Sequence, residues 1–233
     1  MQQLADLGSL PPVQRPQFAD TVFEALHRKI LYLELPPGTR LSEVNVASAM
    51  GVSRQPVRDA FYRLSKLGFL TIRPQRATYV SPISIEAVMQ ARFVREAIEL
   101  ACIRAACAVL TDDDFSALEA ILTQQEQALA ERESKIFHDL DDRFHREICI
   151  RSGHGFAWEV LRENKAHMDR VRFLSLSFAR EEAHHDHWHI IAALRARDVE
   201  ASVNRMSDHL SRIKLDLPRI RAEHAAYFED AAA

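Results

Sequence analysis

At 233 residues the chain suits one large or two ordinary domains, and a hydrophobic content of 47% supports a sizeable core. Its net charge of −3 and pI near 6.4 would, for a single domain, argue against a nucleic-acid binder. The charge is unevenly spread, however: residues 1–82 carry ten Lys/Arg and six Asp/Glu, a net of +4, and the remainder carries −7. A basic reader joined to an acidic body is the expected organisation. No apolar run approaches the ~20 residues of a membrane span, and the N-terminus lacks the basic-then-apolar order of a signal peptide. A soluble, cytoplasmic protein with no membrane partner is therefore expected. Cys102, Cys107 and Cys149 form no CxxC pair and read as small buried side chains in a reducing compartment.

In chain order, residues 1–15 read as a loose leader. Phe18 to Leu35 is an amphipathic helix with Val22, Leu26, Lys29 and Ile30 at helical spacing, ended by Pro36-Pro37-Gly38. Leu41 to Leu70 reads as two helices joined by a tight turn. Ser42 to Met50 is the first, with Val46, Ala49 and Met50 available to one face. Gly51 supplies the turn and Val52 an apolar plug. Ser53 is an N-cap candidate, because its hydroxyl can accept an orphan first-turn amide, and Pro56 is tolerated there. The second helix runs to about Leu67, with Val57, Phe61 and Leu64 inward, and Gly68 closes it.

Ser53, Arg54, Gln55 and Arg58 are thereby left at an exposed helix N-terminus. A helix-turn-helix needs this arrangement, since the recognition helix enters the major groove with its N-terminal side chains. Phe69–Ile72 and Thr78–Val80 are short strand-like runs around Arg73-Pro74-Gln75-Arg76, a basic hairpin tip. On periodicity alone a helix-turn-helix pattern is read first as an ordinary helical hairpin, and two arginines are by default solvated charges. The hairpin and the local positive balance tip the reading toward a winged helix that binds double-stranded DNA. Arg54 and Arg58 would meet guanine edges or phosphates, Gln55 would be a second reader, and Arg73 and Arg76 would hold the backbone.

After Val80 the strand signals stop, and Ser81-Pro82-Ile83-Ser84 forms a connector. Helical segments follow at about 85–109, 112–132, 135–151, 156–179, 182–196 and 198–221, with residues from 225 on as a tail. Thr111 with Asp112 to Asp114 marks one start, where carboxylates favour the helix dipole; Ser134 marks another, and Gly153-His154-Gly155 breaks the chain. The fold class is thus mainly α: an N-terminal winged helix-turn-helix (1–82) followed by an all-α antiparallel bundle (83–224). Only six glycines occur, and no Gly-rich phosphate loop is among them.

The chemistry lies where polar residues interrupt the core stripes. Phe137, Leu140, Phe144 and Ile148 share an inward face, and Asp141 and His145 lie beside it, four residues apart. His187 shares a face with Ile191 and Leu194, and His209 lies beside Met206, Leu210 and Ile213. A buried carboxylate without a partner is expensive. A divalent cation would compensate it, and one carboxylate with three imidazoles suits zinc first, with nickel, iron or manganese as alternatives. The plainer reading has satisfied core histidines and an Asp141 paired to Arg143 or Arg146. Periodicity does not separate His184 from His187 as third ligand, while His185 and His189 project elsewhere. Arg95 lies four after Ala91 and three before Ile98, so it can face inward and clamp a carboxylate, or simply pair with Glu99. Arg172 is a second candidate of that kind.

PPGTRLSE, GVSRQPVRDAFYRLSKLGFL, VREAIE (94–99), DDRFH (141–145), HWHIIAALRARD (187–198) and MSDHL (206–210) together resemble the GntR family of bacterial transcription regulators. Within it they resemble the FadR subfamily with an FCD domain, over about residues 18–220. The resemblance implies a six- or seven-helix metal-binding bundle, a homodimer on a palindromic operator, and a small organic acid effector that changes operator affinity. It also selects His187 over His184 and places Arg95 at the effector cavity. Two departures stand out. Ala77 occupies a wing position where relatives carry glycine, and Ala does not take positive φ cheaply. His154 stands where relatives often carry asparagine, to line the cavity or to break the helix. Two rivals remain: a metalloenzyme using the Asp/three-His site, and a DNA-binding regulator whose metal is purely structural.

Overall fold

The computed structural model describes residues 16–73 and 77–229. The chain divides into two compact units, one holding the residues through Ile30 and Glu34–Ser81, the other Leu31–Leu33 and everything from Pro82 on.

In the first unit, α1 (Pro16–Leu31) is followed by β1 (Arg40–Leu41), α2 (Glu43–Met50), α3 (Arg54–Lys66), β2 (Leu70–Arg73) and β3 (Ala77–Val80). α1 ends four residues earlier than its periodicity suggests, before the Pro36-Pro37 pair. It buries Val22, Phe23, Leu26 and Ile30, while Lys29 faces out to Glu34. α3 buries Val57, Ala60, Phe61 and Leu64, and full burial of an Ile or Phe side chain contributes about 2 kcal/mol.

Ser42 caps α2 by accepting the Asn45 amide, and Gly51 ends it at φ 66° with its amide on the Ala47 and Ser48 carbonyls. The buried residue of α2 is Ala47, not Ala49, which is exposed. Ser53 sits at the N-cap position of α3, but its side chain makes no capping hydrogen bond. The three strands are antiparallel in the order β1-β3-β2. β1 pairs Arg40 with Tyr79, a strand too short for period-two reading to detect. Ala77 pairs with Arg73 as ordinary strand, so no glycine is needed at that place. Arg76 lies outside the described residues.

The second unit is helical: α4 (Ile85–Val109), α5 (Asp112–Ala130), α6 (Ser134–Arg151), α7 (Gly155–Asn164), α8 (Ala166–Ser175), α9 (Arg180–Arg195) and α10 (Val199–Glu223). Thr111 and Asp114 form a reciprocal capping box at the start of α5. Ser134 is the first residue of α6 rather than its cap, and its hydroxyl accepts from Arg180.

The segment expected as one helix from 156 to 179 is two helices, parted at Lys165. No Gly or Pro marks the break; there the Lys165 ammonium is drawn inward to Asp142 at 2.6 Å and Asp169 at 2.5 Å. Within the expected tail from 225, the described residues reach Glu229 and are structured. Ala225–Tyr227 forms a 3₁₀ turn, and Phe228 bridges Ile83 and is buried.

One core cluster holds Leu118, Leu122, Phe137, Phe144, Ile191 and Met206, and a second holds Val88, Met168, Val171, Ile213 and Ile220. Among the described residues, no helix is long and apolar enough to cross a membrane. All three cysteines are free and buried.

Candidate metal centre and nucleic-acid interface

Four side chains from three helices meet in the bundle. Asp141 and His145 come from successive turns of α6, His187 from α9 and His209 from α10. One ligand-type atom from each lies within 4.8 Å of all the others. His187 Nε2 is 3.5 Å from Asp141 Oδ1, His145 Nε2 is 3.9 Å from Asp141 Oδ2, and the Nε2 atoms of His145 and His209 are 3.2 Å apart. Nitrogens bound tetrahedrally to one zinc ion sit about 3.4 Å apart, given Zn–N bonds of about 2.1 Å.

The other nitrogen of each ring explains why the Nε2 atoms converge. His145 Nδ1 is held at 2.5 Å by the Glu99 carboxylate, His187 Nδ1 at 3.0 Å by the Gln125 side-chain oxygen, and His209 Nδ1 at 3.3 Å by Asp186. Each acceptor calls for the hydrogen on Nδ1 and leaves a lone pair on Nε2, the outer arrangement of a metal-binding histidine. His187 Nε2 is buried with no hydrogen-bond partner. Such an orphan is costly, and an ion in the cluster would satisfy it.

The electrostatics agree. Burial pulls the imidazoles of His145 and His187 below their ordinary value, and that of His209 down to about 4. The three rings are therefore neutral near pH 7, as metal ligation requires. Burial alone would raise the Glu99 carboxyl, but Arg95 and His145 hold it well below the usual range. Asp186 is likewise kept low against its burial by Arg212 and His209.

Asp141 pairs with neither Arg143 nor Arg146. Its partner is Arg172, whose guanidinium also donates to Asp142 at 3.1 Å and Asp169 at 2.9 Å. His184 is outside the cluster, with its ring against the Leu122 carbonyl and Trp188. His154 precedes α7 and bonds to the Ser152 carbonyl, so it breaks the helix. A small, half-open cavity of about 70 Å³ adjoins the cluster. Asp141, His209, Arg95, Arg172 and Arg212 line it among apolar side chains such as Phe137 and Leu210. Arg95 donates its Nε hydrogen to Glu99 at 2.5 Å, while its Nη2 is buried without a partner. Glu99, Gln125 and Asp186 escape sequence reasoning, because they reach the rings from other elements or from a different face of the same helix.

In the DNA-reading unit, Ser53, Arg54, Gln55 and Arg58 are all exposed at the leading end of α3. Glu43 of α2 holds both arginines through one oxygen, at 3.2 Å to Arg54 and 3.3 Å to Arg58. Gln55 donates to Asp59 at 2.8 Å. Arg73 lies over the Tyr79 ring at 5.4 Å, on the exposed side of the hairpin.

Residues 18–80 match the bacterial regulatory proteins, gntR family, and residues 90–212 match the FCD domain. The chain belongs to the GntR family. This GntR regulator is 36% identical over 211 residues to the HTH-type transcriptional repressor RspR of Escherichia coli K12, covering 90% of this chain and 92% of that one. Its fold is similar to that of E. coli McbR/YncC, with a TM-score of 0.74 at 21% identity over 90% of this chain and 100% of that chain. A GntR regulator from Rhodococcus sp. RHA1 superposes with a TM-score of 0.71 at 21% identity, over 86% and 97% respectively. The protein is therefore a DNA-binding transcriptional regulator with an FCD effector domain, not an enzyme.

Proposed function

We propose that this regulator binds a palindromic operator as a homodimer and that a small organic acid, held at a metal site in the helical unit, sets operator affinity. Asp141, His145, His187 and His209 would hold a divalent transition metal, zinc first. A bound ion would supply Lewis acidity toward carboxylate oxygens. Glu99, Gln125 and Asp186 keep the three rings in the receptive tautomer. The observation that carries the reading is the four-ligand cluster holding the His187 Nε2 orphan, two of whose members, Asp141 and His209, line one cavity together with Arg95 and its unpartnered Nη2. Arg95 would take the acid in a charge-assisted hydrogen bond. Arg172, already tied to three carboxylates, is the second candidate.

At the other unit, Arg54, Gln55 and Arg58 would read the major groove from the start of α3, with Ser53 and the wing residues Arg73 and Arg76 on phosphates. Glu43 would keep the two arginines extended from one point until phosphates or bases replace it. Calorimetric titration of mono-, di- and tricarboxylates into metal-loaded and chelator-stripped protein tests the reading. Saturable heat in the loaded form only, lost in Arg95→Ala, is the expected result. Bound metal with no response to any acid would leave a purely structural ion and overturn the effector role.

A further inference from the structure

The metal and DNA sites leave two buried thiols unused. Cys102 of α4 and Cys149 of α6 share a small buried cluster with Trp158 and Leu161 of α7, and neither is in a disulfide. The contacts between α4 and α6 bring them together. Glu99 holds His145 at 2.5 Å. Cys102 comes three residues after Glu99 and Cys149 four residues after His145, about one turn further along each helix. That next turn sets thiol against thiol. The two sulfhydryls are hydrogen-bond partners, which favours the Cys102 thiolate and, together with burial, pushes the Cys149 thiol up. Both also feel the charge of Glu99. Cys107 is separate: its sulfur lies 4.0 Å from the Ser202 hydroxyl of α10.

We propose that Cys102 and Cys149 are a peroxide-sensitive dithiol that oxidation closes to a disulfide, and that closure weakens the metal site one turn away. In the first step the Cys102 thiolate attacks a peroxide, ROOH. The S–O bond forms, the O–O bond breaks, and the alkoxide takes the thiol's proton to leave as ROH. In the second step the Cys149 sulfur attacks the sulfenic sulfur of Cys102. The S–S bond forms, the S–O bond breaks, and hydroxide leaves with the Cys149 proton as water. Two thiols lose two electrons and one peroxide gains them. A sulfenic acid enclosed beside a second thiol has its resolving partner at hand, as redox-sensor cysteines do. Disulfides that form in reducing surroundings are mostly transient ones of this kind. A covalent bond between two sulfurs is much shorter than their contact, so α4 and α6 draw together at that turn. The Glu99–His145 bond, at 2.5 Å, has no slack to absorb the shift and turns out of line. The His145 ring then loses the acceptor that aims its Nε2 at the ion. The dithiol stands on its own geometry; its effect on the ion rests on the metal reading above.

The test exposes the full, zinc-loaded chain to hydrogen peroxide, with helical content as the folding control. Free thiols counted after denaturation should fall from three to one. Peptide mapping should join Cys102 to Cys149 and find Cys107 still a thiol, and a phosphine reductant should restore all three. Cys149→Ala should stop at a sulfenic acid on Cys102 that dimedone traps, while Cys107→Ala should behave as wild type. In a chelator competition the oxidised chain should hold zinc about tenfold more weakly than the reduced chain. Three thiols surviving peroxide, or a cross-link through Cys107, would overturn the dithiol. A Cys102–Cys149 disulfide with unchanged zinc affinity would overturn the coupling and leave the disulfide standing. A reduced chain that holds no zinc would overturn the metal reading, and the thiol count would still decide the disulfide.

Discussion

The Nε2 atoms of His145 and His209 face each other at 3.2 Å, and each ring has its Nδ1 on a carboxylate, Glu99 for one and Asp186 for the other. Two lone pairs directed at one point repel unless a cation lies between them. The meeting of α6 and α10 that makes this contact is a preparation built into the fold.

If that preparation serves a metal, His187→Ala should lose bound metal after dialysis, and His184→Ala, three residues away, should keep it. Elemental analysis of the dialysed proteins reads the difference. Equal retention in both variants would exclude His187 as a ligand.

Glu99 serves two partners at once, so its removal has two consequences. Glu99→Gln should weaken metal binding 10- to 100-fold, as expected when the partner that fixes a ligand's tautomer is lost. It should also cost about 3 kcal/mol of stability, because the buried Arg95 is left without its counter-charge. Metal competition titrations and urea unfolding measure the two separately. An unchanged metal affinity would mean that Glu99 does not orient His145.

Burial pulls the His138 imidazole down to about 3, against the neighbouring Asp142 and with Arg172, Lys165 and Arg95 also disfavouring its charge. The unfolded chain takes up that proton near pH 6.5, so between pH 6.5 and 3 the unfolded state binds more protons and stability falls as pH falls. For metal-stripped protein, His138→Gln should remove about 1 kcal/mol per pH unit from this slope between pH 6.5 and 5.0. Urea unfolding at pH 6.5 and 5.0 checks it. Identical slopes for the two proteins would show that His138 does not titrate in this way.

Glu43 presents a negative charge between the two arginines of the recognition helix. Glu43→Gln should raise affinity for duplex DNA several-fold and steepen its salt dependence, since one repelled phosphate contact is relieved. Arg58→Ala should weaken operator binding by about 1–3 kcal/mol, unequally across operator variants if it reads a base. Fluorescence anisotropy at two salt concentrations distinguishes these effects. An isotherm unchanged by Arg58→Ala would remove that residue from the interface.

Local chemistry was legible in the sequence wherever neighbours along the chain decide it. The 3.6-residue period placed Val57, Phe61 and Leu64 inward, Gly51 ended α2 because it alone takes φ 66° without strain, and four-residue spacing set Asp141 and His145 in one direction. The basic first third follows from composition, and the exposed start of α3 from the spacing that turns its apolar residues inward. Other matters needed distant parts of the chain to meet. His187 prevails over His184 because Gln125, on α5, offers its oxygen to one ring while the Leu122 carbonyl engages the other. The break at Lys165 answers to Asp142 on α6, and Arg172 rather than Arg143 reaches Asp141 from α8. Hydrogen-bond satisfaction in a buried site is a property of the assembled surroundings. Periodicity says which way a side chain points, and only packing says what it finds there.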